Sequence, residues 1–255
     1  WKIRSGDDRS DTDRHALTPG RIACSSRRRG RNPDRSAPPA RTNRGPANPT
    51  RQALVETVPA IYHAIVHSIE NIVVIGAGNW GLALASRFCR RRPVRVWTID
   101  EATADGLRAT RKLGGPSHPH GIPDEIVVET KFYSDVDPRS TLFVLAVPSS
   151  QVRGVARELA QHAKHPLVLS VSKGFDAERQ CTMSELIRRE IPEAHVVVLT
   201  GPTIANEISD GQPTRAVLAC DDLMHLALVK ETLTDDLLSF EVSRNPTHHE
   251  ICAAL

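Results

Sequence analysis

A chain of 255 residues, 40% of them hydrophobic, is long enough for one large α/β domain or for one domain with extensions, because domains usually run about 100 to 200 residues. No run approaches the roughly 18 uninterrupted apolar residues of a membrane span, which argues against a membrane role. The net charge of +3 hides a division: the first 51 residues hold 13 of the 33 Lys and Arg but 5 of the 30 acids, so the remainder carries 20 basic against 25 acidic residues. That mildly acidic body gives no reason to expect a nucleic-acid partner.

In chain order, residues 1–51 combine Arg, Asp, Pro, Gly and Ser with almost no apolar periodicity. Such a composition cannot bury enough surface to offset chain entropy and reads as a disordered basic arm. The run Arg27–Arg31 suits a nucleic-acid patch or a transit peptide, but Asp7, Asp8, Asp11 and Asp13 count against the latter, and a solvated tail is the plainer reading. The chain opens on Trp1 and its only methionines are Met183 and Met224, which suggests an incomplete or over-extended reading frame. Residues 52–70 are more apolar and suit a short lead-in helix, interrupted by Pro59.

From residue 71 to 255 short apolar runs alternate with helical patterns, as in βαβ units on a parallel sheet. Strands are expected at Ile72–Ile75, Val94–Ile99, Ile126–Glu129, Leu142–Val147, Leu167–Val171 and Val196–Leu199. Val152, Val155, Ala156, Leu159, Ala160 and Ala163 form a stripe at helical spacing. Thr182 and Glu185 are spaced as a capping box for a helix that Pro192 should stop. The fold class is therefore α/β, a Rossmann-type doubly wound, mostly parallel sheet.

The stretch NIVVIGAGNWGLALASRF, Asn71 to Phe88, matches G-x-G-x-x-G in the context that gives that motif meaning, after a buried-type strand and at the start of an amphipathic helix. Gly76 would make the turn, Gly78 would let the backbone approach a pyrophosphate, and Gly81 would permit close helix packing. Asp100, 24 positions after Gly76, stands where an acid can hydrogen-bond an adenosine ribose, which favours NAD over NADP although NADP stays open. The alternative is a structural turn and a surface carboxylate.

Two further strand ends stand out. Lys173 and Gly174 follow LVLSV, and Gly201, Pro202 and Thr203 follow HVVVL. Ligands of open α/β sheets collect beyond the carboxyl ends of strands, where a lysine and a hydroxyl suit an oxygen-rich substrate. A solvated lysine and a simple turn are the alternatives. His118, His120, His248 and His249 show no ligand spacing with Cys or carboxylates, so no metal is expected. The five cysteines are scattered with no CxxC pair, which fits a reducing, cytoplasmic setting.

Taken together, VIGAGNWGLALA, FVLAVPSSQVRGVARELA, VLSVSKGFDAER, SELIRREIPE, LTGPTIANEISDGQPTRAV and EICAAL resemble the N-terminal domain of NAD-dependent glycerol-3-phosphate dehydrogenase. The resemblance runs from about Ile72 to Leu255. It implies that Asn79 and Trp80 contact the cofactor with the glycine loop, and that Lys173 is catalytic and touches substrate and cofactor. It further implies that Gly201 and Thr203 hold the substrate, and that Ala205 lies against the dinucleotide. The implied reaction moves hydride between NAD and the central carbon of sn-glycerol 3-phosphate or dihydroxyacetone phosphate, a small-molecule phosphate substrate, with a homodimer in the full-length protein.

Departures from the family are also legible. Its proton-transferring lysine follows the segment matched by EICAAL, and its all-helical second domain comes later still. The chain given is thus expected to lack that domain and to bind NAD while turning over little substrate. The segment GGPSHPHGIP departs from the family's Asn and Tyr-Leu-Pro-Gly run before the third strand. Two other readings remain: a non-catalytic NAD-binding module, and a related two-domain dehydrogenase of another hydroxy acid.

Overall fold

The computed structural model describes residues 68–112, 121–132 and 136–254. The expected arm at 1–51, the lead-in helix through residue 67 and most of GGPSHPHGIP lie outside the described residues. Of the lead-in, residues 68–70 have no regular structure, and Ile69 is buried in the core.

Ten strands and seven α-helices follow: β1 Asn71–Ile75, α1 Asn79–Phe88, β2 Val94–Trp97, α2 Glu101–Thr110, β3 Val127–Glu129, β4 Thr141–Leu145, α3 Ser149–His162, β5 Leu167–Ser170, β6 Phe175–Asp176, β7 Cys181–Thr182, α4 Met183–Glu190, β8 His195–Thr200, α5 Ala205–Ser209, β9 Thr214–Ala219, α6 Leu223–Leu233, β10 Leu238–Ser243 and α7 Pro246–Ala254. Eight strands form one sheet in the order β3-β2-β1-β4-β5-β8-β9-β10, and β6 and β7 form a separate small hairpin. From β3 to β8 every pairing is parallel; β9 runs antiparallel to β8, and β10 is parallel to β9. The first six positions reproduce the Rossmann order 3-2-1-4-5-6, so the expected fold class is found.

The central strands are apolar on both faces because helices cover both, as parallel sheets require. Ile72 and Val74 of β1 join a core with Leu82, Phe88 and Leu226, whereas Val73 and Ile75 join a second core with Val152, Leu159 and Ile187. The period-2 alternation of strand side chains thus separates two cores across one sheet.

The helical stripe expected around Val152 is found in α3, where Val152, Ala156 and Leu159 are fully buried and Val155 and Ala160 partly so. The capping box is complete at α4: Glu185 N–H donates to Thr182 Oγ1 at 3.4 Å, and Thr182 N–H to Glu185 Oε2 at 3.2 Å. The helix ends at Ile191, because a residue before proline is pushed out of the helical region. Three expected strands ran too far at their carboxyl ends. Thr98, Ile99, Val147 and Val171 have left strand pairing, and the first three line the crevice described next.

Candidate functional site

The carboxyl ends of β1, β2 and β4 open on one crevice. Ala146 N–H donates to the Ile75 carbonyl and Gly76 N–H to the Trp97 carbonyl, each at 2.8 Å, so the chain is held on both flanks until it turns. Gly76 makes that turn at φ +117°, which other residues reach only with strain. A Cβ on Gly76 would stand 2.4 Å from the Ala146 carbonyl oxygen, and one on Gly81 only 2.1 Å from the Gly76 carbonyl oxygen. Backbone packing requires both glycines. Gly78 differs, since a Cβ there meets nothing within 4 Å. The protein's own packing leaves this space beside the cleft unfilled.

The first turn of α1 adds a second feature. Gly78 sits at the N-cap with no side chain to cap the helix, and no acid stands in the first turn. By contrast α2, α4 and α6 begin on the capping side chains of Asp100, Thr182 and Asp222. The positive end of the helix dipole at Gly78 therefore borders the crevice, where an anion is favoured.

The crevice holds about 930 Å³, within the range of cofactor pockets. Its floor is the glycine turn with Ala146; one wall is Thr98 to Asp100 and the other is the α3 face bearing Gln151, Gly154 and Glu158. Ile99 is 82% exposed on that wall, an apolar surface that a flat ring could cover. Asp100 caps α2: its Oδ2 accepts the Thr103 N–H at 2.8 Å and also the Thr103 hydroxyl. These two bonds hold the carboxyl below its ordinary range, the hydroxyl contributing most. Neither bond uses Oδ1.

Beyond β5 and β8 a second group assembles. Exposed Lys173 donates from Nζ to the Gly201 carbonyl at 3.4 Å. Thr203 N–H donates to the same carbonyl at 2.9 Å, while Thr203 Oγ1 is buried without a hydrogen-bond partner among the described residues. Such a hydroxyl is costly unless a ligand satisfies it. Ser172 Oγ donates to the Val147 carbonyl at 2.6 Å and so ties the lysine loop to the crevice floor.

Of the residues named from sequence, Gly76, Gly78 and Asp100 line the crevice, and Lys173, Gly201 and Thr203 meet beyond the neighbouring strand ends. Asn79, Trp80, Gly81 and Ala205 are not among the crevice walls. Trp80 and Ala205 pack, partly buried, against the core, and Ala205 opens the short helix α5. The α3 wall and Ile99 were not picked out from sequence. Their signal was the position of AVPSSQ after β4, at the point where strand order reverses and α/β crevices form.

Residues 71–226 match the family model described as "NAD-dependent glycerol-3-phosphate dehydrogenase N-terminus". The chain is 30% identical over 182 residues to a glycerol-3-phosphate dehydrogenase [NAD(P)+] of Saccharophagus degradans, covering 71% of this chain and 50% of the relative. It is 33% identical over 152 residues to one from Fusobacterium nucleatum, covering 58% and 45%. The chain spans about half the length of these curated relatives. In fold it is similar to the crystal structure of glycerol-3-phosphate dehydrogenase from Coxiella burnetii, with TM-score 0.66, 21% identity, and coverage of 72% of this chain and 57% of that one.

Proposed function

We propose, from the premise that this chain belongs to the NAD-dependent glycerol-3-phosphate dehydrogenase family, that its crevice binds a nicotinamide dinucleotide for exchange of hydride between sn-glycerol 3-phosphate and dihydroxyacetone phosphate. The pyrophosphate lies on the first turn of α1 over Gly78, the adenosine ribose bonds Asp100, and the adenine covers Ile99. The nicotinamide ring, when bound, supplies the hydride chemistry. The chain's own part is to orient: Lys173 offers three donors and a positive charge to the substrate oxygens, and the Thr203 hydroxyl offers a fixed bond beside it. Gly201 keeps its carbonyl on Lys173 and so aims the ammonium. A cytoplasmic setting fits the free thiols of Cys89, Cys181, Cys220 and Cys252. Among the described residues no helix is long and apolar enough to cross a membrane.

The carrying observation is the unfilled space at Gly78 in front of an uncapped helix. It sets a test that separates binding from folding. Aspartate at this position would cap α1, a change worth up to about 1 kcal/mol in favour of the fold. The same carboxylate would repel a pyrophosphate. Gly78→Asp is therefore expected to melt at the wild-type temperature or higher while its NAD affinity, measured by calorimetry, falls at least about tenfold, or 1.4 kcal/mol. Unchanged NAD affinity in a folded variant removes the phosphate site from this loop.

A further inference from the structure

At the amino end of β8, on the side of the sheet away from the crevice, three metal-ligating side chains distant in sequence come together. His195 opens β8, Asp222 caps α6, and His225 lies in the first turn of α6. One donor atom from each falls within 4.8 Å of the other two. The two imidazoles stack with centroids 3.9 Å apart and planes 17° from parallel. The cap itself uses only Asp222 Oδ1, which accepts the N–H groups of Met224 and His225 at 2.8 and 3.2 Å. Oδ2 is left 3.0 Å from His225 Nδ1. Nδ1 is buried, and the Asp222 carboxylate is the group it faces, at ion-pair distance. A cation held by both would replace that pairing with two metal bonds.

We propose that His195, Asp222 and His225 bind one divalent transition-metal ion of the zinc class. Two imidazole nitrogens and one carboxylate oxygen are the donors that suit zinc, whereas magnesium and calcium select all-oxygen sets. Zinc–ligand bonds of about 2.0–2.1 Å place neighbouring donors about 3.4 Å apart in a tetrahedron. Because a ring nitrogen's lone pair lies in the ring plane, the His195–His225 stack must open for both rings to reach one ion, and His195 is the exposed ring that can turn. The adjoining cleft of about 650 Å³ gives the ion an entry path and room for a completing water. Arg188 on that cleft's wall is engaged by two other groups of the same wall, 3.6 Å from Asp221 Oδ1 and donating to the Val196 carbonyl at 3.2 Å. The bound ion would clasp the start of β8 to α6, with no part in the hydride site.

Calorimetric titration of zinc chloride into the metal-stripped 255-residue chain tests this. One zinc per chain is expected at this site, with affinity at least about tenfold weaker in each of His195→Gln, His225→Gln and Asp222→Asn. Asparagine caps helices about as well as aspartate, so Asp222→Asn removes the charge and keeps the cap. Zinc should raise the wild-type Tm, since it binds the folded chain, and raise the Tm of each variant less at the same zinc concentration. Zinc affinity undiminished in all three variants, or a wild-type Tm indifferent to zinc, overturns the proposal. Magnesium binding there as tightly as zinc overturns the assigned class.

Discussion

At Asp100 one side chain serves two purposes that a single substitution can separate. Its Oδ2 holds the first turn of α2 through Thr103, and the residue also lines the crevice. Because the Thr103 hydroxyl and N–H depress its pKa, the carboxylate stays charged throughout the neutral range, where it would meet the 2′-phosphate of NADP as a like charge. Two unit charges about 4 Å apart in water differ by about 1 kcal/mol, and a 2′-phosphate carries more than one. Asp100→Asn keeps the cap and is expected to shift the ratio of NADP to NAD affinity about tenfold toward NADP at unchanged Tm. Equal ratios for wild type and variant, from paired titrations, would place the ribose elsewhere. Gly76, Gly81 and this acid were legible in the sequence because each is dictated by local backbone geometry at fixed spacing. Thr203 was legible only as a hydroxyl after a strand; that its oxygen is buried and unbonded among the described residues is a matter of tertiary packing.

Among the elements, α1 is anchored at both ends, and the anchors differ in kind. Its amino end rests on glycine contacts with the sheet; its last turn carries Arg87, buried at 7% exposure and paired with Asp235 in the loop between α6 and β10. Burial alone would raise the Asp235 pKa. The Arg87 bond and the N–H groups of Leu237 and Leu238, at 2.9 and 2.8 Å, more than offset this and bring it below 3.8. A depressed carboxylate adds stability above its unfolded pKa, and that stability is lost as pH falls through the lower folded value. Asp235→Asn leaves the guanidinium buried opposite a neutral amide and should cost about 3 kcal/mol at pH 7 by urea unfolding. The gap between wild type and variant should narrow once the pH drops below 3.8 and the wild-type carboxyl takes up its proton. A gap of constant size from neutral to acid pH would assign the loss to packing instead of charge. No sequence period could reveal this pair, because Arg87 and Asp235 stand 148 positions apart and only the tertiary packing on one face of the sheet brings them together.

For the whole molecule, six parallel strands were readable because each is a short β-branched run between turn signals. The two at the far edge were not. LSFEVS of β10 alternates apolar and polar residues, and TRAVLA of β9 carries the exposed Arg215, since an edge region is covered less completely than the centre. The reversal of β9 against β8 follows from its connection, as α5 is a short helix that returns the chain alongside α1 instead of completing a right-handed crossover. The consequence is a sheet whose centre is fixed by both cores and whose crevice joins β1, β2 and β4 through one glycine turn. A ligand bound there touches the strands that hold the fold together, so its binding energy adds to the stability of the whole described domain. At NAD near one hundred times its dissociation constant the gain is about 2.7 kcal/mol, which for a domain of this size raises Tm by about 5–10 °C. Scanning calorimetry should show that rise in the wild type and in Asp235→Asn alike, because the ion pair lies at the far end of α1 from the phosphates. In Gly78→Asp, with affinity at least about tenfold weaker, it should fall to about half or less. A rise confined to the wild type would mean that the far end of α1 sets the geometry of its first turn, and that the helix acts as one rigid lever between the two sites.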